Sequence, residues 1–176
     1  SLVSIFLPES RFTLFSVFIW LLSSEFIISL VTPLIESSLL LVVLLYIKKY
    51  YREALFLTVT MSACGLAMPL LKNIFRRERP NFYRLIEISG YSFPSGHTTS
   101  ATTMYLTLAI ILLSIIKKLN KYFVFSIAVL GIVIIGSSRI YLGVHYPTDV
   151  MAGICLGISI VSTVYILYYS NLSEED

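Results

Sequence analysis

Charge is scarce in this chain. Asp, Glu, Lys and Arg make up only 13% of its 176 residues, while 57% are hydrophobic and the mean hydropathy is +0.86. A soluble domain carries about 25% charged residues, so an ordinary soluble fold is excluded and a membrane protein is indicated. Cysteine is also rare. Cys64 and Cys155 fall in separate apolar runs without CxxC spacing, so they read as buried small hydrophobes, and no disulfide framework is expected. No cluster of His, Cys or carboxylates has metal-ligand spacing, which argues against a metal mechanism. No cleavable signal peptide is expected, because a basic n-region and a small-residue cleavage site are both lacking. No cofactor, nucleic acid or obligate protein partner is expected either.

What the chain does have is long apolar runs. A bilayer core takes about 20 helical residues, and Ala54–Leu71, Thr98–Ile116, Tyr122–Ser137 and Val150–Tyr169 each read as a span. Gly65 and Pro69 read as packing or kink positions in the first of these. Upstream, Phe26–Ile47 reads as one span kinked at Pro33 and interrupted by Glu36. In a competing reading Phe12–Val31 spans and the chain turns at Pro33, which removes Glu36 from mid-membrane. Phe12, Phe15, Ile19 and Leu22 have helical spacing, so residues 1–24 read as an interfacial helix or a partial first span. The tail Glu174-Glu175-Asp176 reads as a solvated end. The expected class is all-α: one membrane-embedded domain over residues 1–176, a polytopic transmembrane bundle of about six helices.

Parity orders the loops. The basic loops 48–53 and 117–121 are separated by two spans and share one side, so the polar loop 72–97 and the stretch 138–149 share the other. Lys48, Lys49, Arg52, Lys117, Lys118 and Lys121 balance Lys72, Arg76, Arg77, Arg79, Arg84 and Arg139, and charge alone does not orient the chain. The first set forms short, bare basic loops of cytoplasmic type. The second is mixed with His, Ser, Gly and Pro, which suits an anion site outside the cytoplasm.

That second side holds three polar pieces. Ser138-Arg139-Ile140-Tyr141-Leu142-Gly143-Val144-His145-Tyr146-Pro147-Thr148-Asp149 brings a cation, an imidazole and a carboxylate together between apolar runs, and polar groups so placed need a reason. Pro147 suits a first helical position, which puts Asp149 in the first turn, where the helix dipole favours it and the His145 ring N–H is in reach. Lys72 and Arg79-Pro80 form the second piece; alone they read as interfacial anchors and a helix stop. Pro94-Ser95-Gly96-His97 forms the third. Ser95 suits an N-cap, and a helix start with glycine also offers free N–H groups to a phosphate. Together these pieces suit phosphoryl transfer: Lys72, Arg79 and Arg139 supply fixed positive charge, one histidine attacks phosphorus, and the other protonates the leaving oxygen.

Lys-x6-Arg-Pro, Pro-Ser-Gly-His and Ser-Arg-x5-His-x3-Asp, in this order, resemble the three signatures of the type 2 phosphatidic acid phosphatase family. They cover Lys72 to Asp149; residues 1–50 carry no signature. The resemblance implies a helical membrane core and a metal-independent lipid phosphatase that passes through a phosphohistidine. It implies that His145 is the nucleophile, Asp149 its orienting acid and His97 the general acid, with Lys72, Arg79, Ser95, Gly96 and Arg139 holding the phosphate. It further implies an envelope lipid as substrate: phosphatidylglycerol phosphate, undecaprenyl pyrophosphate, phosphatidic acid or the 1-phosphate of lipid A. The expected place is the bacterial inner membrane, with the site on the periplasmic face. Two alternatives are a lipid phosphotransferase of the same family and a catalytically idle lipid-phosphate binding or transport protein.

Overall fold

The computed structural model describes residues 38–81, 85–86 and 88–170. Among them every regular element is helical: α1 over Ser38–Ile47, α2 Tyr51–Phe75, α3 Gly96–Ile115, α4 Lys121–Tyr141 and α5 Pro147–Ser170. The last four are long and apolar enough to cross a membrane. The expectations for residues 1–24, for Phe26–Ile47 upstream of Ser38 and for the acidic tail lie outside the described residues.

Local chemistry sets the helix ends. Asn120 caps α4 by accepting the N–H groups of Tyr122 and Phe123 at 2.9 and 3.4 Å, which satisfies donors that a helix start leaves free. Helix α2 stops where Arg76 turns left-handed at φ 45° and its N–H bonds the Lys72 carbonyl at 3.0 Å. Helix α5 opens on Pro147 as expected, and the Asp149 carboxylate reaches back to the Tyr146 N–H at 2.9 Å, one half of a capping box.

The apolar residues Phe56, Leu57, Met104, Ile111 and Val161 pack together in one cluster. Helix α3 is central. It has the lowest mean hydropathy of the four long helices, 1.5, yet the largest buried share, because Thr98, Thr99, Thr102, Thr103 and Thr107 all point into the bundle. Polar side chains inside and apolar ones outside is the arrangement a bilayer selects. Helix α5 approaches α3 through Gly153 and Gly157: a Cβ on Gly157 would lie 2.7 Å from the Thr102 Cβ, and one on Gly153 3.0 Å from the Ser95 carbonyl oxygen. Small residues four apart permit this backbone approach.

Three expectations are corrected. Gly65 shows no packing role among the described residues, none of which lies within 4 Å of where its Cβ would be. Cys64 is buried as expected, but Cys155 is exposed, because it sits between Gly153 and Gly157 on the side of α5 turned away from α3. Finally, the span expected over Tyr122–Ser137 runs on through Ser138, Arg139 and Tyr141, leaving only 142–146 between helices.

The loop pairing follows parity. Leu85 N–H bonds Leu142 carbonyl at 3.2 Å and Arg79 Nη1 donates to Val144 carbonyl at 3.1 Å, which joins the polar loop to the α4–α5 connection. At the opposite end the Ser114 hydroxyl donates to Glu53 at 3.0 Å.

Candidate active site

Four elements converge at the polar end. Lys72 lies in the last turn of α2, and its Nζ sits 3.9 Å from where a Gly96 Cβ would be, so the first and second signatures meet there. Helix α4 comes so close to α5 that a Cβ on Gly136 would lie 2.9 Å from Val150. Arg139, about one turn further along α4, is thereby carried into the bundle among the signature residues.

His145 stands in the short α4–α5 connection, where Gly143 turns the chain at φ 67°, a conformation glycine adopts without a Cβ clash. The ring is 4% exposed. Its Nδ1 is 3.5 Å from Asp149 Oδ2 and 3.4 Å from the Ser92 hydroxyl. Its Nε2 is 3.4 Å from Arg79 Nη1. A carboxylate on the Nδ1 side and a guanidinium on the Nε2 side favour the neutral tautomer protonated at Nδ1, with its lone pair on Nε2. Burial, followed by the Arg79 charge, pushes the His145 pKa down to about 4, against the opposing pull of Asp149, so the ring is uncharged at neutral pH.

Arg79 is held in place by carbonyls: Nε donates to Gly90 at 2.9 Å, Nη1 to Val144 and Nη2 to Ser89 at 3.3 Å. Ser95 occupies the N-cap position of α3, but its hydroxyl makes no cap bond and instead accepts from Thr98 Oγ1 at 2.9 Å. Its backbone N–H donates to the Asp149 carbonyl at 3.0 Å. His97 follows in the first turn of α3, within electrostatic reach of Arg139, His145, Lys72 and Arg79.

Arg139 is 0% exposed, and its Nε, Nη1 and Nη2 have no hydrogen-bond partner among the described residues. An unpaired guanidinium in the interior costs several kcal/mol in round terms, about that of any desolvated ion. An anion beside it would offset that cost. Beside the site a cavity of about 490 Å³ opens between Glu78, Arg79, Asn81, Ile88, Tyr91 and Tyr146. No group of three or more His, Cys, Asp or Glu lies together among the described residues.

All the expected residues therefore gather at one end: His145, His97, Asp149, Lys72, Arg79, Ser95, Gly96 and Arg139. Two others belong with them. Arg77 Nη1 lies 2.8 Å from Asp149 Oδ1, and the Ser92 hydroxyl donates a short hydrogen bond to Asp149 Oδ2. Arg77 was legible only as one of several basic residues, and Ser92 carried no spacing signal.

Comparison with known proteins shows the family. The model of the PAP2 superfamily matches residues 53–173. Phosphatidylglycerophosphatase B of Bacillus subtilis is 36% identical over 136 residues, 73% of this chain and 67% of the relative. Lipid A 4'-phosphatase of Porphyromonas gingivalis is 34% identical over 140 residues, 70% of this chain but only 56% of the relative. The crystal structure of a transmembrane PAP2-type phosphatidylglycerolphosphate phosphatase from Bacillus subtilis superposes with a TM-score of 0.67 at 30% identity, covering 85% of this chain and 72% of that one. With its apolar helices, the chain is a multi-pass membrane protein. The match spans most of its length and all three signatures, and the chain belongs to the PAP2 superfamily.

Proposed function

We propose that this chain hydrolyses a phosphate ester or pyrophosphate of a membrane lipid through a phosphohistidine on His145. The observation that carries the proposal is the buried, unpartnered Arg139 guanidinium beside the neutral His145: a cation prepared for an anion, and a nucleophile ready at neutral pH. His145 Nε2 attacks phosphorus, and the bond from phosphorus to the lipid oxygen breaks. His97 gives that oxygen its proton. Water then attacks the phosphohistidine while His97 takes up a proton, which releases phosphate and restores neutral His145. Lys72, Arg79 and Arg139 face the non-bridging oxygens, with the Ser95 hydroxyl and the first N–H groups of α3, and stabilise the charge that builds in the transition state. Asp149 keeps the ring oriented and balances the charge it acquires.

Three cations at the phosphate make a metal unnecessary in this scheme. The relatives' names, phosphatidylglycerophosphatase and lipid A phosphatase, support an envelope lipid as the substrate. The bare basic loops at the opposite end support a periplasmic site. Phosphate release by purified protein from a lipid panel containing phosphatidylglycerol phosphate, undecaprenyl pyrophosphate, phosphatidic acid and lipid A 1-phosphate tests the proposal. Turnover of at least one lipid in EDTA is expected. No release from any of them, or release only after magnesium or zinc is restored, overturns it.

A further inference from the structure

The carboxylate behind the nucleophile has its own supports, and neither is a residue that the three signatures specify. Asp149 is 0% exposed. Arg77 Nη1 takes Oδ1 at 2.8 Å and also donates to Thr148 Oγ1 at 2.8 Å. Its guanidinium lies 4.2 Å above the centre of the Tyr146 ring, within cation–π range. The Ser92 hydroxyl donates to Oδ2 and presents a lone pair to His145 Nδ1 at 3.4 Å. The supports are themselves tied, because the Ser92 N–H donates to the Arg77 carbonyl at 2.8 Å. We infer that Arg77 and Ser92 form a positioning pair: Arg77 holds one oxygen of Asp149 and counters its charge, while Ser92 bridges the other oxygen to the Nδ1 side of His145.

Chemistry explains why each is needed. A buried carboxylate that faces only a neutral imidazole would be costly to keep ionised, and Arg77 removes that cost. Arg77 reaches it from a half-exposed position, with a side chain 38% accessible, so the neutralising charge stays out of the phosphate pocket. Ser92 supplies the geometry. At 3.5 Å the direct His145–Asp149 contact is long, and a hydroxyl placed between them passes the orienting interaction on. The charged and titratable groups acting on His145 are Lys72 from α2, Arg79 from the loop after it, His97 from α3 and Asp149 from α5; Arg77 reaches the ring through Asp149, and Arg139 from α4 acts on His97.

The inference rests on His145 as the nucleophile, and the test has one arm that does not need turnover. The chain has two histidines, so a protein labelled with ¹⁵N-histidine shows two ring titrations, and His145→Gln identifies one of them. Arg77→Met leaves the Asp149 charge uncountered, so the carboxylate pulls harder on the ring proton and the His145 midpoint is expected to rise above its parent value of about 4. In the same variant kcat should fall about 10–100-fold, the usual effect of losing an outer support, with KM nearly unchanged. Arg77→Lys should restore most of both. Ser92→Ala should lower kcat similarly while thermal stability in detergent holds. If Arg77→Met leaves both midpoint and kcat at the parent values, or if Lys restores no more than Met does, the pair has no positioning role. If the parent releases no phosphate and the midpoint still moves, the pair stands and the hydrolase reading fails.

Discussion

The backbone N–H of Ser95 donates to the carbonyl of Asp149 at 3.0 Å. This one bond fastens the start of α3 to the first turn of α5, and so fixes the phosphate-binding end of one signature against the acid of another. Gly153 lies directly below, against the Ser95 carbonyl, and Gly157 one turn further down, against Thr102.

Those glycines give the first prediction. Gly157→Ala puts a methyl 2.7 Å from the Thr102 Cβ and 3.1 Å from the Thr99 carbonyl, and should cost about 1–3 kcal/mol of stability by overpacking. Gly153→Ala presses on the Ser95 carbonyl at 3.0 Å and should lower activity more than it lowers Tm. Thermal unfolding in detergent alongside phosphate release checks both, and unchanged values in both variants would show that the α3–α5 contact does not set the site.

Arg139 should show function and stability in opposition. Arg139→Met removes a buried, unpartnered cation and should raise the thermal stability of the substrate-free protein. Turnover should fall about 10²–10³-fold, the usual effect of losing one transition-state donor. Arg139→Lys keeps the charge without the planar fork and should also be impaired. Vanadate, which takes up a transition-state shape, should stabilise the parent and not Arg139→Met. A destabilised Arg139→Met with normal turnover would make Arg139 a structural residue.

The pH profile follows from His145. Its pKa is lowered to about 4, so the neutral, nucleophilic form persists down to that pH and is lost only below it. The acid limb of kcat/KM, which reports the free enzyme, should therefore fall near 4 and not near the ordinary imidazole value of about 6.5. The same depression makes the unfolded chain the better proton binder between those two values, so stability should rise with pH across that window. An acid limb at 6 or above would contradict the buried, cation-flanked ring.

Sidedness is open to labelling. In a background without Cys64 and Cys155, Asn81→Cys should react with an impermeant thiol reagent in intact cells, and Lys118→Cys should not. Both residues are exposed, at opposite ends of the bundle. The reverse pattern would put the site in the cytoplasm.

The sequence showed the helices and the signature residues because their signals are local. Apolar runs of bilayer length stand out, and Pro147 with Asp149 announces a helix start whatever lies around it. The expected span stopped at Ser137 because polar residues after an apolar run resemble a helix end, whereas α4 continues for another turn with Arg139 buried in the bundle. Arg77 was hidden among Arg76, Glu78 and Arg79, since composition does not say which arginine of a basic run turns towards a carboxylate far along the chain. Ser92 has no periodicity to betray it; only the fold brings it to Asp149. Gly65 and Gly153 look alike in an apolar run, and only the neighbouring helix shows that Gly153, and among the described residues not Gly65, is in close contact.

The covalent intermediate is the most direct test. Purified His97→Ala protein, given a lipid labelled in its terminal phosphate and quenched rapidly, should hold acid-labile label on His145, because the first step survives the loss of the general acid, most readily with a pyrophosphate leaving group. His145→Ala should hold none. Label that persists in His145→Ala and disappears in His97→Ala would contradict the assignment and exchange the roles of the two histidines.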